Sequence, residues 1–189
     1  MKSALIIGGS KGIGSSIVES LKNLNIKIIS PSRKELDTSK ISTVKKFIKK
    51  VKIVDYLILN TGGPPAKDFF FIKEKEWHKY HNQLFLSFVL ILQNLSIKKN
   101  GFIFLISSHT IKTPENNLTL SNSYRLAFSS ILKTISHLYA KKNITCLNIA
   151  PGPINTMRLR SLVKNLKKFE KKLPLRRSGK PEEISLFIK

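Results

Sequence analysis

The sequence has 189 residues, the length of one domain, and 41% of them are apolar, which is enough for a hydrophobic core and excludes a disordered chain. The formal net charge is +23, but 28 of the 34 basic residues are lysine, so the charge reflects a lysine bias of the whole chain and is weak evidence for nucleic-acid binding. The chain has a single cysteine, and its histidines show no metal-ligand spacing, so we expect neither a disulfide scaffold nor a metal site. No apolar run is long enough for a signal peptide or a membrane span, which predicts a cytoplasmic protein without a membrane contact.

Short apolar runs alternate with helical patterns from one end of the chain to the other. The candidate strands are Ala4–Ile7, Ile26–Ile29, a weak one at Leu36, Val54–Asn60, Gly101–Ser107 and Ile144–Ile149. The helical patterns lie at Ile13–Leu24, Ile41–Lys50, Glu74–Lys98, Ser121–Lys141, Arg158–Leu173 and from Pro181 onwards. The strands are apolar at consecutive positions, as expected where helices cover both faces of a sheet. This alternation predicts an α/β fold with a doubly wound parallel sheet of about six strands.

A glycine-rich turn directly follows the first strand. It reads Gly8-Gly9-Ser10-Lys11-Gly12-Ile13-Gly14, and a helical pattern comes after it. Glycines allow the backbone to approach a phosphate closely, and the N-terminus of the helix offers that phosphate free N–H groups. The turn therefore predicts a pyrophosphate site for a dinucleotide, the alternative being a tight turn without a ligand.

Four more motifs follow along the chain. They are Asn60-Thr61-Gly62-Gly63-Pro64-Pro65, Phe104-Leu105-Ile106-Ser107-Ser108, Asn148-Ile149-Ala150-Pro151-Gly152-Pro153-Ile154-Asn155-Thr156 and Gly179-Lys180-Pro181-Glu182-Glu183-Ile184. Together with the glycine turn, they resemble the motifs of the short-chain dehydrogenase/reductase family over essentially the whole chain. The resemblance implies a three-layer Rossmann fold with strand order 3-2-1-4-5-6, a single dinucleotide-binding domain over residues 1–189, and a homodimer or homotetramer.

The resemblance also implies which residues contact the cofactor: Gly8, Ser10, Lys11, Gly12, Ile13, Gly14, Arg33, Asp37, Asn60, Gly62, Pro151, Gly152, Ile154 and Thr156. In the family, an acidic residue at the end of the second strand binds the ribose of NAD, but Ser30-Pro31-Ser32-Arg33 contains no carboxylate. Lys11 and Arg33 favour the 2′-phosphate of NADP(H), so we expect NADP(H) to be preferred over NAD(H). The alternatives are that Lys11 is ordinary surface charge and that Asp37 is a solvated turn residue.

The catalytic positions depart from the family pattern, in which a serine is followed by a tyrosine general acid/base and then by a lysine. In the family's spacing, the tyrosine lies 13 residues after the serine, and this position after Ser108 is Ser121. The lysine lies four residues further on, and this position is Arg125. Ser108 remains as the residue that holds the substrate oxygen, and Arg125 supplies a fixed positive charge. Tyr124, one helical turn beyond Ser121, is a candidate substitute acid, the alternative being a structural tyrosine. His109 is either a further candidate for proton transfer or a solvated loop residue.

The segment from Arg158 to Lys180 has ten basic residues and one acid, Glu170. Apolar residues recur there at helical spacing, and the resemblance implies that residues 154–178 form a lid beside the active site. A basic lid would attract a phosphate-bearing thioester or an acidic carrier protein, whereas the alternative is a solvated face with a lysine bias. Family members continue with another strand after the helix that begins at Pro181, so we expect that strand to be missing and the chain to be shortened.

These observations favour an NADP(H)-dependent oxidoreductase that reduces a carbonyl or oxidises an alcohol, similar to the 3-oxoacyl-reductase branch of the family. Its substrate would be a small molecule, free or linked to an acyl carrier or coenzyme A. The alternative is a dinucleotide-binding protein without turnover, because Ser121 and Arg125 replace the catalytic pair and Gln83 replaces an assisting asparagine. Nucleic-acid binding ranks last, because no aromatic residues are interleaved with the basic ones on a sheet face.

Overall fold

The computed structural model describes every residue from Met1 to Lys189 and contains one parallel sheet of five strands. The strands are β1 (Lys2–Ile6), β2 (Ile26–Ile29), β3 (Ile53–Leu59), β4 (Ser96–Ile106) and β5 (Thr145–Ile149). Their order in the sheet is β2-β1-β3-β4-β5. The predicted α/β, doubly wound Rossmann-like fold is confirmed, and the strand order reverses direction next to β1, where ligand crevices form in such sheets.

Eight α-helices connect or flank these strands. They are α1 (Gly12–Lys22), α2 (Ile41–Ile48), α3 (Glu74–His81), α4 (Ser87–Asn94), α5 (Thr119–Ala140), α6 (Met157–Leu162), α7 (Leu166–Glu170) and α8 (Pro181–Ile188). A π-helical turn, Asn82–Leu86, joins α3 to α4. None of these helices has the length and apolar character needed to cross a membrane.

Two hydrophobic cores lie on opposite faces of the sheet, because successive strand residues point to opposite sides. Leu5, Leu57 and Ile103 belong to the larger core, which includes buried residues of α2, α4 and α5. Ile6, Ile58 and Phe104 belong to the smaller core, which includes residues of α1 and α8. This arrangement gives three layers and explains why the strands are apolar at consecutive positions.

The strand predicted at Leu36 is wrong, because the chain forms a turn there. The backbone N–H and hydroxyl of Ser32 both donate to the Glu35 carboxylate at 2.8 Å, and the Leu36 N–H donates to the carbonyl of Ser32 at 2.9 Å. The Asp37 carboxylate accepts from the Ser39 N–H at 3.0 Å. These local bonds satisfy the backbone and compete with strand pairing. Leu36 is apolar because its side chain is buried in the larger core.

Two predicted helices also have different limits. The helix predicted to reach Lys98 ends at Asn94, and Ser96 already pairs with Ile53 of β3. Between them the pattern changes to an alternation in which Ile97 is buried and its neighbours are exposed, which is typical of a strand. The single helix predicted over residues 158–173 is two short helices, because Asn165 caps a new one by accepting from the Lys168 N–H at 2.9 Å.

Candidate functional site

A cleft of about 730 Å³ lies beyond the carboxyl ends of the strands. Its walls come from the glycine turn, the segments that follow β3, β4 and β5, and the segment around α6. The cleft brings together the predicted cofactor residues Gly8, Ser10, Lys11, Gly12, Ile13, Arg33, Asp37, Asn60, Gly62, Pro151, Gly152, Ile154 and Thr156. Gly14 does not line the cleft, because it packs behind the turn, where a Cβ would collide with the Gly8 carbonyl oxygen. Clefts of this size and position are typical of ligand sites in α/β proteins.

The glycine turn has the geometry of an anion cradle. Gly8 and Gly12 have φ angles of +67° and +57°, which side-chain-bearing residues rarely adopt. The Asn60 side-chain amide donates to the Gly8 carbonyl oxygen at 3.1 Å and holds the turn against β3. No side chain caps the N-terminus of α1, and its first turn contains no acid, so its N–H groups face the cleft without a protein anion. These residues fit a pyrophosphate group.

The wall beside β2 carries more cations than acids. Arg33 is largely exposed, and its Nε lies 3.4 Å from Oδ2 of Asp37. Burial alone would raise the pKa of Asp37, but hydrogen bonds from Ser39 and the charge of Arg33 outweigh it, so the pKa is lowered. Glu35 points back to Ser32 and does not line the cleft. Asp37 is paired with Arg33. The cations that this wall offers to a ligand are therefore Lys11 and Arg33.

Ser108 lies just after β4, in the cleft. Its Oγ accepts hydrogen bonds from the N–H of Thr110 at 3.2 Å and from the hydroxyl of Thr110 at 3.0 Å. Since both bonds use oxygen lone pairs, the hydroxyl proton of Ser108 is free to donate into the cleft. The neighbouring Ser107 differs, because its hydroxyl donates to Oδ1 of Asn148 at 2.6 Å and holds β4 against β5.

Arg125 reaches from α5 to the ends of β3 and β4. Its Nε donates to Oγ of Ser121 at 3.1 Å, its Nη1 to the Ile106 and Ser107 carbonyls at 2.9 and 3.3 Å, and its Nη2 to the Thr61 carbonyl at 3.3 Å. Burial and the charge of Arg158 lower the pKa of Arg125 to about 10, which leaves the guanidinium charged at neutral pH. Ser121 is buried, and the two residues form one hydrogen-bonded pair at the cleft floor.

Tyr124 lies outside the cleft. Its hydroxyl donates to the Trp77 carbonyl at 3.1 Å, and its ring packs edge-to-face against Trp77 and His81. Burial raises its pKa. Tyr124 lies only about 60° from Ser121 around α5. Its contacts with Trp77 and His81 nevertheless hold its side chain against α3. The structure therefore does not bring Tyr124 together with Ser108 and Arg125.

Several cleft residues carry chemistry that no motif predicted. Arg158, at the start of α6, donates from Nη2 to the Pro64 carbonyl, and Tyr80 is buried in the cleft wall. The one signal for Arg158 is that arginine is rare in this lysine-rich chain. Gln83, at the asparagine position of the resemblance, donates to the Gly62 carbonyl at 2.6 Å.

His109 lies between two oxygen acceptors. Its Nδ1 is 3.3 Å from the Pro151 carbonyl, and its Nε2 is 3.2 Å from Oε1 of Glu115. A carbonyl and a carboxylate can only accept hydrogen bonds, so whichever ring nitrogen carries a proton has an acceptor. The imidazole is partly exposed and lines the cleft beside Ser108.

Comparison with known proteins agrees with this fold and this arrangement of motifs. Residues 34–188 match the family model described as enoyl-(acyl carrier protein) reductase. The chain belongs to the short-chain dehydrogenase/reductase family of oxidoreductases. The 3-oxoacyl-(acyl-carrier-protein) reductase of Buchnera aphidicola subsp. Baizongia pistaciae is 28% identical to it, in an alignment that covers 97% of this chain and 86% of that protein.

Solved structures of the family have the same fold. A short-chain dehydrogenase family protein from Francisella tularensis superposes with a TM-score of 0.85 and 23% identity, covering 100% of this chain and 89% of that one. A small-chain dehydrogenase in complex with NADPH superposes with a TM-score of 0.86 and 20% identity, covering 99% of this chain and 89% of that one.

Proposed function

We propose that the chain is an NADP(H)-dependent oxidoreductase that reduces a carbonyl group or, in reverse, oxidises an alcohol. The observation that carries this proposal is that one cleft joins an anion-binding glycine turn to Ser108 and Arg125, a free hydroxyl donor and a fixed positive charge. Family membership supports the reaction class. The name of the Buchnera relative supports a 3-oxoacyl compound as the substrate.

The dinucleotide would lie along the walls described above. The glycine turn and the N-terminus of α1 would hold the pyrophosphate, and Lys11 and Arg33 would bind a 2′-phosphate, which supports NADP(H) over NAD(H). Thr156, whose side chain approaches the open side of Gly12, and the Pro151-Gly152 loop would hold the nicotinamide half. NADP(H), when bound there, supplies or accepts a hydride.

Each catalytic role follows from a hydrogen-bonding pattern. Ser108 would donate its free proton as a hydrogen bond to the substrate oxygen, because Thr110 already occupies its lone pairs. Arg125 would stabilise negative charge on that oxygen through space and keep the ends of β3 and β4 in register. His109 would provide the proton, because its imidazole lines the cleft beside Ser108.

A dinucleotide-binding protein without turnover is the second candidate. The observation that favours it is that Ser121 occupies the position of the family's tyrosine, while the nearest tyrosine on α5, Tyr124, is bonded to Trp77. In that case the cleft would bind NADPH and no carbonyl would be reduced.

We also propose two kinds of partner. The basic lid, residues 154–178, would steer anionic substrates such as acyl-carrier- or coenzyme-A-linked thioesters towards the cleft. A second copy of the chain would pack on α5, where Leu126 and Leu138 are 52% and 63% exposed. The resulting assembly would be a homodimer or a homotetramer.

A comparison of Ser108→Ala with the parent chain tests the catalytic proposal. We expect the variant to lower kcat for reduction of a 3-oxoacyl substrate by about 10² to 10³, the usual effect of removing one donor to a developing oxyanion. Calorimetric NADPH affinity should stay within about twofold, because the loss concerns the substrate oxygen. Ser130→Ala, an exposed serine of α5, is the matched control and should keep parent activity. Parent-like turnover by Ser108→Ala would contradict the assignment, and NADPH binding without any parent turnover would favour the second candidate.

A further inference from the structure

Two guanidinium groups line the cleft without a carboxylate partner. None of the seven ion pairs in the structure involves Arg125 or Arg158. The acids that line the cleft, Asp37 and Glu115, are paired with Arg33 and His109. The two arginines also repel each other, and this repulsion contributes to the lowered pKa of Arg125. A pair of partly buried like charges is costly unless a ligand supplies an anion.

The Arg158 guanidinium has N–H groups without a hydrogen-bond partner in the protein. Its Nη2 donates to the Pro64 carbonyl, and the guanidinium lies against Gly63, where a Cβ would come within 3.2 Å of Nη2. The N–H groups on Nε and Nη1 have no acceptor in the protein. The group is half-buried, and burial lowers its pKa. Unpaired donors on a desolvated cation are expected to bind an anionic ligand, since guanidinium geometry matches a carboxylate.

The neighbouring side chains add donors and no acid. Tyr80, next to Arg158, is buried in the cleft wall, and its hydroxyl makes no hydrogen bond within the protein. The Nζ of Lys79 lies 5.3 Å from the Tyr80 ring centre, and Lys79 also lines the cleft. Gln83 uses its amide to hold the Gly62 carbonyl. The cleft wall around Arg158 therefore carries cations and hydrogen-bond donors but no acid.

We propose that this wall of the cleft binds a carboxylate of the substrate between Arg158 and Arg125, with the Tyr80 hydroxyl as an additional donor. The inference rests on the proposed function and, in place of the thioester substrates considered there, assigns an oxo acid with a free carboxylate. An ester or thioester of the same acid lacks this carboxylate and leaves both guanidinium groups without an anion. The enzyme should then discriminate strongly against the neutral compound.

The test compares acetoacetate with its methyl ester as substrates of the NADPH-saturated protein. We expect the parent kcat/KM to favour the acid by about tenfold to a hundredfold, the range for a charge-assisted pair. Arg158→Gln should bring the preference close to one, and Arg158→Lys should restore part of it. Arg160→Gln is the matched control, because Arg160 is exposed, bonds to Asn155 and does not line the cleft. It should keep the parent preference.

A binding measurement separates this inference from the proposed function. Malonate, which cannot be reduced, is titrated calorimetrically into the protein with NADPH present and at fixed ionic strength. Saturable binding that Arg158→Gln weakens tenfold and Arg160→Gln does not would support the carboxylate site even if no substrate turns over. Equal use of acid and ester, a preference that survives in Arg158→Gln, or no malonate binding to the parent would overturn it, whether or not carbonyl reduction is observed.

Discussion

Arg33 has one protein partner, Asp37, and most of its side chain faces solvent at the cleft wall. An exposed pair of this kind contributes little to stability, so the guanidinium can exchange its partner for a ligand phosphate without a large penalty. The preference for NADP(H) therefore depends on a small number of exposed charges, and single substitutions should change it.

Arg33→Asp should remove or invert the preference for NADPH over NADH. The change removes a cation and adds a carboxylate, which repels a 2′-phosphate and can accept from ribose hydroxyls. Calorimetric titration of both nucleotides measures the ratio of the two dissociation constants. Lys34→Asp makes the same charge change one residue away and outside the cleft, so it should keep the parent ratio within about threefold. An equal effect of both variants would show that only net charge matters.

The Tyr124 hydroxyl donates to the Trp77 carbonyl, so we expect Tyr124 to contribute to stability and not to catalysis. Tyr124→Phe should lower the free energy of unfolding by about 0.5–1.5 kcal/mol, the worth of one hydrogen bond, and leave kcat unchanged. Tyr139→Phe, a partly buried tyrosine near the end of the same helix, is a control for the substitution itself. A large loss of kcat in Tyr124→Phe would contradict the account.

His109→Gln should lower kcat by about a hundredfold or more, as for loss of a general acid.

The sequence register anticipated part of the geometry of this cleft and missed the rest. Counting from Ser108 put Ser121 and Arg125 at helical spacing, and the structure contains a hydrogen bond between them. The direction of Tyr124 depends on where α3 packs against α5, which is a tertiary contact and leaves no local pattern. Arg158 belongs to no motif, because its position in the cleft follows from how α6 meets the segment after β3.

At the scale of elements, the differences arise where side chains form local hydrogen bonds. The polar residues around Leu36 form a turn through the Ser32–Glu35 and Asp37–Ser39 contacts, which apolar periodicity cannot reveal. Asn165 caps a new helix inside a continuous amphipathic pattern for the same reason. The strands themselves were predictable, because burial on both faces requires apolar residues at consecutive positions.

The start of α8 provides an element-scale test that depends on pH. Arg177 donates two hydrogen bonds to the Glu183 carboxylate, and the Lys180 N–H donates a third at 2.6 Å. The bonds from Arg177 contribute most, and together they lower the pKa of Glu183 to about 2. Because the folded-state value lies below the unfolded value of about 4.3, the stabilisation is complete above about pH 4.3 and is lost as the pH falls towards 2.

Glu183→Gln should therefore be less stable than the parent near neutral pH, and the difference should shrink as the pH falls from about 4.3 towards 2. Urea unfolding at both ends of this range measures the difference in the free energy of unfolding. Glu182→Gln is the control, because the Glu182 side chain in the same turn of α8 has no partner, and its free energy of unfolding should stay close to that of the parent. A difference between parent and Glu183→Gln that stays constant with pH would contradict the assignment.

For the whole molecule, the alternation of strands and helices was sufficient to predict a parallel sheet with two covered faces. The order of its strands was implied by the family resemblance and is confirmed, apart from the strand at Leu36. Association was implied by the family resemblance. Within one chain, Leu84, Phe88 and Ile91 are buried, whereas apolar side chains are exposed on α5, on α8 and at Phe69–Phe71. Which apolar face remains uncovered depends on packing, so sequence periodicity alone cannot identify it.

We expect light scattering at micromolar concentration to give at least twice the chain mass of 21.4 kDa. Leu126→Glu should shift the mass to that of the monomer, because it places a charge in the proposed interface on α5. Leu186→Glu changes another exposed leucine, on α8 at the opposite face of the sheet, and should leave the assembly intact. A monomeric parent would contradict the proposed association.

The central claim, that this cleft transfers a hydride between NADP(H) and a carbonyl, is tested most directly by isotope transfer. The parent chain is incubated with a 3-oxoacyl compound and NADPH deuterated at the transferable position of the nicotinamide ring, and the alcohol product is analysed by mass spectrometry. We predict one deuterium in each product molecule and one NADPH consumed for each alcohol formed. NADPH that binds to the cleft while no deuterated alcohol is produced from any carbonyl offered would contradict the account.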